Sequence, residues 1–163
     1  MSDVTQRLAD LLDRDEIGRL LTTYAFALDA KNWQLYRSIF TDEIEMDFSA
    51  SIGAGGPVVM KADDWVEGAR PFFESLKATQ HIAIAQQIAL DGDSAYAVSS
   101  LHAQHYGPNA QGDPVQKMIG RYENWLVRLP DVGWRIRKII QHIHWNEGNW
   151  QVFVNAANAG ETS

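Results

Sequence analysis

Cysteine is absent from the 163 residues. That excludes a disulfide framework, a thiolate nucleophile and Cys-ligated zinc. Cations are in short supply: Lys and Arg number 14 against 21 Asp and Glu, for a formal charge of −7. A phosphate-backbone partner needs clustered Lys and Arg. The nearest approach, "RIRK" at 135–138, is short and lies inside an apolar strand pattern. Nucleic acid is not an expected partner. No apolar run reaches the roughly 20 residues of a membrane helix. The opening "MSDVTQRLADLLDRDE" is charged from the start and has no signal-type apolar region. The expectation is therefore a cytoplasmic protein with no membrane partner. Serine-nucleophile signatures of the Gly-x-Ser-x-Gly kind are missing too. The Gly-rich "GAGGP" at 53–57 lacks both the strand-to-helix setting and the Lys-Ser/Thr of a phosphate loop.

What remains is ordinary for a globular domain, 45% hydrophobic and 21% charged. One domain spanning 1–163 is expected, with no internal repeat and no linker long enough to divide it. Residues 4–29 read as helix, with a break expected near "LLDRDE", where Asp13 would cap a second segment and Glu16 would sit at the capping-box position. A short helix over 32–40 follows, capped by Asn32, with Trp33, Tyr36 and Phe40 on one side. "EIEMDFSA" alternates as a strand, "GAGGP" turns into a short strand "VVMK", and "ADDWVEGARPFFESL" is a helix that Pro71 should kink or interrupt. Four long strands come next, separated by "DGD", "GPNAQGDP" and "PDVG". Helices followed by hairpin-connected strands give an α+β class, with helices covering one face of a curved antiparallel sheet that can enclose a ligand. The tail at 151–163 is read as a segment that covers a neighbouring subunit or frays.

One residue in this pattern is out of place. The apolar stripe Ile17, Leu20, Leu21, Tyr24, Ala25, Leu28 runs at helical spacing, and Asp29 sits on it in the last turn. A helix C-terminus carries partial negative charge, so a carboxylate there is unfavourable. A buried partner would offset that penalty; an alternative is a helix end facing water. On the first long strand, His81, Ala83, Ala85, Gln87 and Ala89 form one side, and Ile82, Ile84, Ile88 and Leu90 the other. Small neighbours leave room beside His81, and an imidazole oriented by a carboxylate is a general base. A core histidine among space-filling alanines is the competing reading. Tyr24 shares the Asp29 stripe and could offer its phenol to a substrate oxygen. His102 and His105 lie on opposite faces of their strand, so only one points inward. His142 and His144 share a face at a spacing seen in metal sites, but no third ligand is apparent and no metal is expected.

The segments "DRDEIGRLLTTYAFALDAKNWQLYRSIFTDEIEMDF", "TQHIAIAQQIALDGDSAYAVSSLHAQHY" and "RYENWLVRLPDVGWRIRKIIQHIHW" resemble the SnoaL-like branch of the nuclear-transport-factor-2-like superfamily. The resemblance covers about residues 8–147. It implies a cone-shaped half-barrel of curved, mixed or antiparallel sheet, closed by three to four N-terminal helices over a deep apolar pocket. In its dehydratase and dehydrochlorinase members an Asp at the end of the long helix orients a His on the first long strand, positions that fall on Asp29 and His81. A catalytic Tyr five residues before that Asp, as in the bile-acid 7α-dehydratase, falls on Tyr24. The second His of scytalone dehydratase lies on the next strand, where His102 is chosen over His105. The dehydrochlorinase Arg on the last strand has no counterpart in "KIIQHIHW", which argues against halide elimination. Trp33, Tyr36, Trp65 and Tyr122 are the expected substrate-binding residues. The implied activity is a cofactor-independent lyase of dehydratase type on a small apolar cyclic molecule. An isomerase or cyclase using the same dyad, and a non-catalytic binding or subunit module, are the alternatives. A homodimer or homotrimer is expected.

Overall fold

The computed structural model describes residues 3–52 and 55–161. Helix α1 runs unbroken over Asp3–Asp29, so the break expected near residue 13 does not occur. Asp13 and Glu16 are engaged elsewhere. Asp13 accepts from the Trp134 indole at 3.2 Å and pairs with Arg128, while Glu16 accepts from the Trp134 backbone N–H at 2.9 Å. These acids fasten α1 to the far turn of the sheet, where Trp134 is wholly buried. Helix α2 (Trp33–Ser38) begins as expected, with the Asn32 side chain accepting from Leu35 N at 3.1 Å.

Strand β1 (Phe40–Asp47) leads through a single helical turn, α3 (Ser49–Ile52), to β2 (Val58–Lys61) and helix α4 (Ala62–Ser75). The "GAGGP" turn falls partly outside the described residues. Pro71 lies inside α4 without ending it. Strands β3 (Ala78–Asp91), β4 (Ser94–Tyr106), β5 (Val115–Leu129) and β6 (Gly133–Gly148) form a continuous antiparallel meander. One mixed sheet results, in the order β2-β1-β6-β5-β4-β3, because β1 lies parallel to β6. The tail is neither frayed nor extended: residues Gln151–Glu161 form helix α5, which packs Val152, Phe153 and Ala156 into the core beside α4. Among the described residues no helix is long and apolar enough to cross a membrane.

Among the described residues the register of the sheet shifts in four places. In β3 the ladder shifts by one residue between Ile84 and Gln87, and Ala85 takes a positive φ of 55°. The faces assigned from alternation therefore hold only up to that point. Ile84 is exposed, whereas Ile88 and Leu90, beyond the bulge, pack against the core on the same side as His81. Of the two shifts between β5 and β6, one lies where Ile119 pairs Trp145 but Gly120 pairs Ile143. A Cβ at Gly120 would overlap the His142 carbonyl oxygen, a backbone atom that cannot step aside. We expect Gly120→Ala to destabilise the fold by about 2–4 kcal/mol, read as a lowered urea midpoint. An unchanged midpoint would show that the bulge relaxes freely.

Candidate active site

Asp29 ends α1 directly over the free edge of β3, and its carboxylate collects three donors. Oδ1 accepts from the Thr79 hydroxyl at 2.7 Å and lies 2.7 Å from His81 Nδ1, while Oδ2 accepts from the His81 backbone N–H at 2.7 Å. The acid at the unfavourable end of the helix is thus compensated by three short bonds, all from the strand beside it. Burial alone would raise the Asp29 pKa. The His81 imidazole, the His81 N–H and the Thr79 hydroxyl outweigh it and hold the carboxylate below its usual range. With Nδ1–H directed at Asp29, the lone pair of His81 resides on Nε2, the nitrogen left for a substrate. The His81 side chain is only 4% exposed.

His105, not His102, stands next to this pair. The His81 and His105 rings meet edge to face at 5.3 Å, and His105 is buried. His102 points to the exposed side of the sheet, and its expected place in the site is corrected accordingly. The reason is the β3 bulge. An uninterrupted ladder counted back from the two-residue turn at Gly92–Asp93 would set His81 opposite Gln104 and bring His102 to its face. The extra residue sets His81 opposite Ala103 instead, on the inward face of β4 that His105 shares. Burial, reinforced by the neighbouring His81, pushes the His105 pKa down to about 3. Phe72, Phe73 and Phe153 enclose both histidines, with Phe153 4.7 Å from the His105 ring and Phe73 5.9 Å from that of His81.

Tyr24, five residues before Asp29, is buried in a cluster of phenols. Its ring lies 5.3 Å from Tyr36 and 5.5 Å from Tyr122, edge on. Burial drives all three phenols above their ordinary pKa, Tyr36 to about 12. The Trp65 indole donates to the Tyr36 hydroxyl at 3.1 Å, and the Gln141 amide donates to Tyr122 at 3.4 Å. Of the four expected substrate-binding aromatics, Tyr36, Trp65 and Tyr122 therefore belong to one connected network. Trp33 turns its indole N–H to Glu74 at 2.8 Å. The deep pocket implied by the resemblance is largely filled. Leu21, Tyr24, Ala83, Ser99, Tyr122, Asn124 and Ile139 line a cavity of about 10 Å³, room for one water.

His142 and His144 do not gather ligands. Glu123 Oε1 lies 3.0 Å from His142 Nε2, and Arg121 faces His144 at 3.3 Å. Among the described residues no group of three or more His, Asp or Glu is placed to hold a metal ion.

Thr79 and the phenylalanines are the site residues that sequence reasoning did not identify, while His105 was weighed and passed over for His102. Thr79 had a signal: it lies two residues before His81, hence on the same face of the strand.

The chain belongs to the SnoaL-like domain family, whose model matches residues 9–140. Its fold is the cone of curved sheet and covering helices of the nuclear-transport-factor-2-like superfamily. A superfamily member from Salmonella enterica serovar Typhimurium superposes with a TM-score of 0.71 at 16% identity, covering 85% of this chain and 96% of that one. The Kfla4162 protein of Kribbella flavida superposes with a TM-score of 0.81 at 26% identity, covering 93% and 99% of the two chains. A type 2 hexachlorocyclohexane dehydrochlorinase gives 0.71 at 16% identity, covering 86% and 91%. No curated protein sequence matches the chain.

Proposed function

We propose that this protein is a cofactor-independent lyase that eliminates water from a small cyclic, largely apolar substrate, with Asp29 and His81 as its general-base dyad. The observation that carries this reading is the 2.7 Å contact between Asp29 Oδ1 and His81 Nδ1, buried behind an aromatic screen. A dehydrochlorinase, itself an elimination catalyst, shares the fold.

In this reading His81 Nε2 takes a proton from a carbon next to a carbonyl. Asp29 stabilises the imidazolium that forms. The C–H electron pair becomes the new double bond, the carbon–oxygen bond breaks, and the departing hydroxyl takes a proton to leave as water. The candidates to supply that proton are the neutral ring of His105, 5.3 Å from that of His81, and the phenol of Tyr24. Each acid–base contribution of this kind is worth about 10²–10⁴ in rate. The connected phenols favour one second reading. Tyr24, Tyr36 and Tyr122 could hydrogen-bond an enolate oxygen, and return of the proton to a different carbon would then make the enzyme an isomerase.

The test is a panel of hydroxylated cyclic ketones followed by proton NMR in D₂O. Appearance of the conjugated enone supports the lyase; deuterium incorporation with a moved double bond, and no loss of water, supports the isomerase. His102→Gln should retain full turnover, since its ring lies on the exposed face. A panel untouched by the native enzyme, with no solvent deuterium entering any member, counts against proton abstraction altogether.

A further inference from the structure

The carboxylate of Asp29 is shared. His81 Nδ1 is not alone on Oδ1, because the Thr79 hydroxyl reaches the same oxygen at the same distance, 2.7 Å. The remaining oxygen is taken by the His81 backbone N–H, a donor on the strand edge that cannot rotate away. We propose that Thr79 is a positioning residue: its hydroxyl pins Oδ1 against the imidazole and draws off part of the carboxylate's charge, which leaves His81 a weaker base than an undivided aspartate would make it. This rests on the reading of Asp29 and His81 as the proton-transfer dyad.

The argument is one of competing donors. A hydrogen bond to a charged acceptor is stronger than one between neutral groups, and a second donor on one carboxylate oxygen reduces what that oxygen offers the first. A base held too tightly to its orienting acid gives up its proton less readily, so dividing the carboxylate between two donors bears directly on proton transfer at His81. The strand places both donors automatically, since residues 79 and 81 project to the same face. The groups facing His81 from the neighbouring elements are few. Helix α1 presents the Asp29 carboxylate, β4 presents the His105 ring, and α4 presents the uncharged ring of Phe73.

The experiment needs no substrate. The carbon-bound ring protons of His81 are followed by NMR through a pH titration in the native protein and in Thr79→Val, Thr79→Ala and Thr79→Ser. The exposed His102 serves as reference. Loss of the hydroxyl in the Val and Ala variants should raise the His81 titration midpoint by about half to one pH unit, a three- to tenfold gain in proton affinity. Thr79→Ser should restore the native value. A purely structural threonine would alter the thermal midpoint and leave the titration where it was. That result, or a downward shift, overturns the proposal. Asp29→Asn separates the two levels of inference. If it leaves the His81 titration unmoved, the dyad itself fails; if it moves it while Thr79→Val does not, only the role of Thr79 fails. The Ala variant covers the case in which valine does not fit beside the helix end.

Discussion

Asp29→Asn should silence the enzyme as completely as His81→Gln, lowering kcat by about 10³-fold or more. The equivalence follows from how the three donors are distributed. An asparagine keeps the shape of the carboxylate but replaces one acceptor oxygen with an NH₂ donor. That donor cannot occupy the Oδ2 position, because the His81 backbone N–H points there and has no way to become an acceptor. The NH₂ must therefore take the Oδ1 position, facing Thr79 and His81 Nδ1. The Thr79 hydroxyl can rotate and accept. The imidazole can accept only by moving its proton to Nε2, and the nitrogen that should remove the substrate proton is then the protonated one. The variant should fold, bind ligand with nearly native KM, and show the reversed histidine tautomer in nitrogen-15 NMR spectra. Asp29→Ala differs, since it leaves a hydroxyl and two N–H groups without their acceptor, and a stability loss of about 2–4 kcal/mol accompanies the loss of turnover. Substantial activity in Asp29→Asn would mean that proton abstraction does not depend on the His81 tautomer, and the base would have to be sought elsewhere.

The Asp29–His81 contact was legible from one side, because Asp29 broke a local rule; a histidine among alanines breaks none, and the resemblance pointed to His81. Asp29 sits at the wrong end of a helix and on its apolar stripe, so the strand that meets the helix end had to supply a partner. Alternation and turn chemistry likewise gave the element order, since helical and strand periods are local properties. Position 105 shows where that kind of reading stops. Which histidine of β4 shares the face of His81 depends on parity, and the parity of β3 is inverted by a single extra residue at Ala85 and Gln86. Nothing in "HIAIAQQIAL" marks the bulge, because alanine is not a residue that favours φ of 55°. The unbroken α1 is a second case. Asp13 and Glu16 have the sequence of a capping box, yet both are drawn away by Trp134, more than a hundred residues later in the chain. A cap and a tertiary acceptor look alike until the partner is known. The tail was misread for a related reason: "QVFVNAANAG" is short and rich in small residues, and its helix is held by burial of Val152, Phe153 and Ala156 against the rest of the fold.

His105 gives the largest expected dependence of stability on pH, and its sign can be worked out from the site. Its pKa in the folded protein is about 3, against an ordinary value of 6.5, because burial and the adjacent His81 disfavour the imidazolium. Between those two pH values the unfolded chain binds a proton that the folded chain refuses, so stability falls as pH falls across that window. The slope approaches about 1.4 kcal/mol per pH unit, and at pH 5 the loss amounts to about 2 kcal/mol relative to pH 7.5. Asp29 acts lower down. Its depressed pKa gives a contribution that is full above the ordinary carboxylate range and disappears only as pH drops through its folded value. The interval from about pH 6.5 to 5 therefore belongs mainly to His105 rather than to the carboxylates. His105→Phe, which sets an apolar ring among Phe72, Phe73 and Phe153, should flatten the urea midpoint against pH over that interval. It should also remove the buried Nδ1 that has no hydrogen-bond partner, and so match or exceed the native stability at pH 5. Parallel pH curves for the two proteins would mean that His105 takes up its proton in the folded state near the ordinary histidine value. The ring beside His81 would then be a cation under mildly acidic conditions, and its assignment as a neutral donor to the leaving hydroxyl would have to be withdrawn.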